Sequence, residues 1–222
     1  MRNAWMRAIW LAFVGVGLAS GVGCNPVAAS YFLFRGDSKV PAECPLLPKD
    51  DKKEVSVAVI VTAPNAPVEF AGVERDLASQ INKRMVEQTK DGKIPIKPVD
   101  RAKIDKLRSD PQFAALSAAQ IGKKLGADYV IELTVASITL YEPQTGKLFY
   151  MGQATIEGAV YDSATGDQTN KYFVNPKLES KPTTDVLMQQ YKTKLLSRMA
   201  DEVTWKHVPH ANDQQITPSG GI

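Results

Sequence analysis

The chain has 222 residues, 44% apolar and 23% charged, with a formal charge of +3. Arg2 and Arg7 supply two of the 27 basic side chains, so the part beyond residue 23 carries 25 bases against 24 acids. That balance gives no counterion-displacing surface and argues against a nucleic-acid partner. The composition is ordinary for a globular domain of one core.

Residues 1–24 read MRNAWMRAIWLAFVGVGLASGVGC. A short positive segment is followed by an uncharged run from Ala8 to Gly23 that ends in small residues, the layout of a secretory signal. The run is shorter than the ~20 residues a membrane-spanning helix needs, and glycines weaken it further, although a permanent transmembrane anchor is the competing reading. Gly21-Val22-Gly23-Cys24 resembles the lipobox of bacterial lipoproteins. The resemblance implies cleavage between Gly23 and Cys24 and a diacylglyceryl group on the Cys24 thiol, with a further amide-linked chain such as palmitate. The family pattern places an aliphatic residue where this chain has Gly21. Conventional cleavage near Gly23 or Ala29, leaving Cys24 unmodified, is the alternative. Asn25 stands where an inner-membrane retention signal would have Asp, so the resemblance favours the outer membrane.

Residues 24–54 are expected to form a tether. Pro26, Pro41, Pro45 and Pro48 block helix and central strand, and a charged run from Lys49 to Glu54 follows. Tyr31 to Phe34 forms an apolar island expected on the domain or at the lipid surface. Cys44 has no ligand-type neighbours and is expected to be a bystander.

The globular domain is expected over residues 55–208. Val55–Thr62 is β-branched and predicts a buried strand. Phe70, Val73, Leu77, Ile81 and Met85 have helical spacing within 68–89. Residues 94–99 hold two prolines, so a short edge strand is predicted there. Asp100 caps a helix to about Arg108, and Ser117 opens another to Leu125, which Gly126 stops. Two long antiparallel arms follow, 127–142 and 147–162. In the first, the apolar phase passes from Ile131, Leu133 and Val135 to Ile138 and Leu140, which predicts a bulge. A third strand, 168–174, precedes a last helix from Thr183 or Thr184, with Val186, Leu187, Tyr191, Leu195, Met199 and Val203 as its stripe. Residues 209–222 have the composition of a disordered tail. The expected fold is an α/β mixed-sheet sandwich in the order β-α-β-α-α-β-β-β-α.

Residues 118–135, AAQIGKKLGADYVIELTV, resemble the periplasmic lipoproteins with an anticodon-binding-domain-like fold. These include the curli secretion lipoprotein, lipoprotein activators of peptidoglycan synthases and the N-terminal domain of TolB. The resemblance implies a protein- or polymer-binding role in envelope assembly, with an envelope protein or peptidoglycan as partner. A subunit of a secretion or pore assembly is the alternative it leaves. Gly126, Asp128 and Tyr129 are expected to be a fold signature.

Chemistry-bearing motifs are few. There is no phosphate loop, nucleophile elbow or zincin helix. His207 and His210 are expected to be exposed at a helix end, Trp205 to be a packing anchor, and Asp162 and Asp167 to be turn residues. No cofactor or metal is expected, and no catalysis. A hydrolase using Asp128, Glu157 or Asp162 is the remaining alternative.

Overall fold

The computed structural model describes residues 39–49, 54–90 and 95–210. The expected signal segment, Gly23, Cys24, the Tyr31–Phe34 island and the expected tail therefore lie outside the described residues. Pro41–His210 form one compact unit.

Six strands and four α-helices build this unit among the described residues. They are β1 (Val55–Thr62), α1 (Val73–Thr89), β2 (Ile96–Pro98), α2 (Arg101–Arg108), α3 (Ala118–Leu125), β3 (Tyr129–Tyr141), β4 (Phe149–Asp162), β5 (Gln168–Val174), β6 (Lys181–Pro182) and α4 (Met188–His207). The sheet order is β2-β1-β3-β4-β5, and β6 also pairs with β4. β1 lies parallel to both β2 and β3, while β4 is antiparallel to β3 and β5. This is the expected mixed-sheet α/β sandwich.

Alternation along β1 explains the two layers. Val57, Val59 and Val61 point into a core shared with Leu77, Ile81 and Met85 of α1 and Leu195, Met199 and Val203 of α4. Ala58 and Ile60 point the other way, to a smaller core with Ile104 of α2, Ile121 and Leu125 of α3, and Val130. A strand buried on both faces has no reason to alternate polar residues, so Val55–Thr62 reads as a continuous apolar run.

The local signals act where expected. Asp100 accepts a hydrogen bond from Ala102 N at 2.9 Å. Ser117 and Gln120 form a reciprocal capping box, and Gly126 ends α3 in the left-handed region at φ 69°. The bulge predicted in the first arm lies between Val135 and Ser137, with Ala136 as the extra residue on β3. A second slip follows between Thr139 and Tyr141, this time with the extra residue on β4, so Tyr141 again faces Tyr150.

Three expectations need correction. The 68–89 helix is two pieces: Val68–Phe70 is a 3-10 turn, and α1 starts at Val73 after Gly72, whose φ is 81°. The last helix starts at Met188, because Lys181–Pro182 join the sheet edge instead, so Val186 and Leu187 precede it. Finally, Cys44 and Leu46 belong to the main core, so the tether's last stretch is a strap on the domain and Cys44 is no bystander.

Candidate functional site

The two ends of the sheet carry different chemistry. β3 starts at Tyr129 and β4 ends at Asp162, and these two residues pair; the hairpin turn between the strands is therefore at the opposite end. Thirteen residues of β3 at ~3.3 Å each place the ends roughly 40 Å apart. α4 runs back alongside over about 30 Å at a ~1.5 Å rise per residue: the Tyr141 hydroxyl near the turn donates to Met188 Sδ at 3.4 Å, and His207 lies beside the strap.

At the strap end buried hydrogen bonds hold the strap to the domain, with an exposed ion pair beside them. Cys44 N donates to Lys206 O at 2.7 Å, and Lys206 Nζ lies 2.6 Å from Glu43 Oε2. The His207 ring is 3% exposed, contrary to the expected surface position. Its Nδ1 is 3.1 Å from Cys44 O, a carbonyl that can only accept, so Nδ1 carries the proton. Nε2 then accepts from the Tyr172 hydroxyl at 2.7 Å. Burial favours the neutral ring and pushes the His207 pKa down to about 4, while burial also raises that of Tyr172. Gly158 makes room for this arrangement: a Cβ there would fall 2.3 Å from Tyr172 Cζ.

The signature residues form a second clasp. Asp128 Oδ2 accepts from Ser56 N at 2.9 Å, which ties α3's exit to the start of β1. Lys49 Nζ donates to Asp128 O at 2.9 Å and to Asp162 Oδ1 at 2.5 Å, and sits 4.7 Å over the Tyr129 ring. Tyr129 in turn donates to Leu47 O at 3.0 Å. Burial raises the Asp162 carboxyl, but hydrogen bonds from Lys49, Thr165 N and Ala164 N outweigh it and hold the group below the ordinary range. Gly126, Asp128 and Tyr129 are thus a fold signature, as their local chemistry suggests. Sequence reasoning missed the partners, because Ser56 and Lys49 lie 72 and 79 positions away.

Beside the strap, Glu43, Phe173, Asn175, Arg198, Glu202, Trp205, Lys206 and His210 line an open groove of about 370 Å³. Trp205 does not anchor the core. Its ring stacks on His210 with centroids 4.8 Å apart, and the Arg198 guanidinium lies 5.2 Å from it.

The turn end is apolar. Val68 is 85% exposed, Leu187 69% and Leu148 65%, with Met188 and Phe149 also exposed. Lys147 links them: its Nζ lies 3.5 Å from Glu69 Oε1, next to Val68, and 5.0 Å over the Tyr141 ring. The turn is strained, since the non-glycine residues Gln144 and Lys147 both have φ 66°. Beneath it, Tyr141, Tyr150 and Tyr191 stack in sequence at 5.4 and 4.9 Å. Lone exposed apolar residues are common, whereas here several lie at one end of the sheet.

The carboxylates considered for hydrolysis are not assembled. Asp128 and Asp162 serve the clasp, and Glu157 lies 4.0 Å from Lys171 on the open sheet face. Glu132 lies on β3, its carboxyl raised by burial. Among the described residues no group of three His, Cys, Asp or Glu could hold a metal, and no helix is long and apolar enough to cross a membrane.

No family model matches the chain, and no curated protein matches it. Solved structures do resemble it. A lipoprotein of Neisseria meningitidis is 11% identical, covering 66% of this chain and 99% of its own, with a TM-score of 0.40. The PelC dodecamer protein of Paraburkholderia phytofirmans is 11% identical, at 78% and 99% coverage and a TM-score of 0.42. The C-terminal domain of LpoB from Salmonella enterica is 12% identical, at 68% and 93% coverage and a TM-score of 0.35. Bacterial lipoproteins, the class that residues 118–135 resemble, are thus among the similar structures.

Proposed function

We propose that this protein is a lipid-anchored, non-catalytic module of the bacterial envelope that binds another envelope protein through its apolar tip. The observation that carries this reading is the opposition of the two ends. The strap docks on the C-terminal end of α4, and the exposed Val68, Leu148, Leu187 and Met188 lie at the turn end by its N-terminus, roughly 30 Å away at the ~1.5 Å rise of a helix. An acylated Cys24 would hold the domain at the outer-membrane surface, each buried methylene contributing ~0.8 kcal/mol. The tip would then reach into the periplasm. Its aliphatic character suits a protein surface better than a sugar polymer, so peptidoglycan is the second choice of partner. The carboxylates are committed to structural contacts or scattered, which supports a binding role rather than hydrolysis.

The test is photocrosslinking in intact cells from Leu148 and Leu187. A defined envelope protein captured from both positions, and not from Lys171 on the sheet face, is the expected result. Capture of nothing from either tip position would remove the reading's support. Mass spectrometry of the mature N-terminus is expected to show a fatty-acylated Cys24; an unmodified residue there would refute the anchor.

A further inference from the structure

We propose that the groove beside the strap takes a zwitterionic phospholipid head group at the bilayer surface, so that the domain rests on its membrane through Trp205. The inference extends the anchored reading to a second, protein-borne membrane contact.

Three observations lead to it. The groove is the part of the domain nearest to the anchor along the chain: Glu43 lines it, and only residues 25–40 separate Cys24 from Pro41. A lipid on Cys24 would therefore tether the groove to the membrane by a short stretch of chain.

The lining also has the matching chemistry. Arg198 Nε is 2.7 Å from Glu202 Oε1, and Lys206 Nζ is 2.6 Å from Glu43 Oε2, so two bases and two acids lie side by side. A phosphate would take the guanidinium and ammonium, and the ethanolamine nitrogen would take the carboxylates so released. Paired bases and acids of this kind suit a neutral zwitterion better than a net anion.

The aromatic content fits an interface. Trp205 is only partly buried, and Phe173 at the groove's rim is 52% exposed. An indole with one wet and one apolar side is the side chain most at home at head-group depth.

The same residue supplies the test. The sequence has three tryptophans, and Trp5 and Trp10 lie in the signal segment, so the mature chain reports from Trp205 alone. The mature chain, residues 24–222 with Cys24→Ser, would be titrated with vesicles of phosphatidylethanolamine and phosphatidylglycerol. The expected result is a blue shift of the emission, quenched by lipids brominated near the head group. At least tenfold more lipid should be needed for Lys206→Gln or for the exposed Phe173→Ser, each with an unchanged circular dichroism spectrum. Unchanged emission, a shift without quenching, or variants that bind as tightly as the parent would overturn the proposal. So would the same shift with inorganic phosphate alone, which would make the groove a soluble-anion site. Because Cys24→Ser removes the acyl chain, the titration reads the groove, and mass spectrometry of the native N-terminus reads the anchor, so either can fail without the other.

Discussion

At the strap end, buried polar atoms are joined across long stretches of sequence, and the apolar side chains Cys44 and Leu46 are sealed into the core. At the turn end the polar contacts are few and exposed, and the aliphatic side chains face solvent. The first pattern is that of a closure, in which each removed partner strands another buried group. The second is that of an open surface, where little folding stability is at stake. The difference predicts that substitutions at the two ends will separate stability from binding.

The largest effect is expected for Tyr172→Ala. It empties core volume against Gly158 and leaves His207 Nε2 without its donor, so a loss of about 3–5 kcal/mol is expected from denaturant unfolding. Next comes pH. The native His207 ring is neutral with a pKa of about 4, whereas the unfolded ring titrates near 6.5. Above pH 6.5 neither state binds the proton and this contribution is fully present. As the pH falls from 6.5 through 4 the unfolded chain takes it up first, and up to about 3 kcal/mol is lost. Unfolding midpoints followed across that window should decline, and the decline should be shallower in His207→Gln; equal slopes would rule out this residue as the cause.

Asp128→Ala should cost less, about 1–3 kcal/mol, by leaving Ser56 N without its acceptor. Hydrogen exchange should then quicken at the start of β1 before the rest of the strand. The smallest stability change belongs to the turn end. Leu148→Ser with Leu187→Ser should stay within about 0.5 kcal/mol of the parent while abolishing partner capture. A large loss of stability there, or capture unaffected, would erase the proposed contrast.

How far the sequence foretold this depends on the range of the interaction. The helix start at Ser117, the Asp100 cap and a bulge between Val135 and Ile138 are set by neighbours within a few positions, and each was legible in the sequence. Thr183 and Thr184 look like helix caps, yet pairing of Lys181–Pro182 with Phe149 and Tyr150 draws the segment onto the sheet and delays the helix. His207 shows the limit most clearly. Its burial depends on Cys44, 163 positions away, and Tyr172, 35 away, and no local pattern marks either. Around Cys44 the prolines suggested a free tether, although the apolar Cys44 and Leu46 between them were a signal of docking. The exposed tip is legible only by elimination, since Val68, Leu148 and Leu187 come from three separate stretches of chain.

The paired slips in the β3–β4 hairpin have a mechanical consequence. Ala136 adds one residue to the first arm, and the second arm adds one back before Tyr141 meets Tyr150. The arm therefore has an elbow halfway along, while its far end stays in step. Deleting Ala136 alone would throw the terminal rungs out of step, whereas deleting it together with Met151 would give a straighter arm carrying the same loop. Evolution, or an engineer, could thus swing the tip to a new bearing by trimming both rails at once, without altering a single side chain that a partner touches.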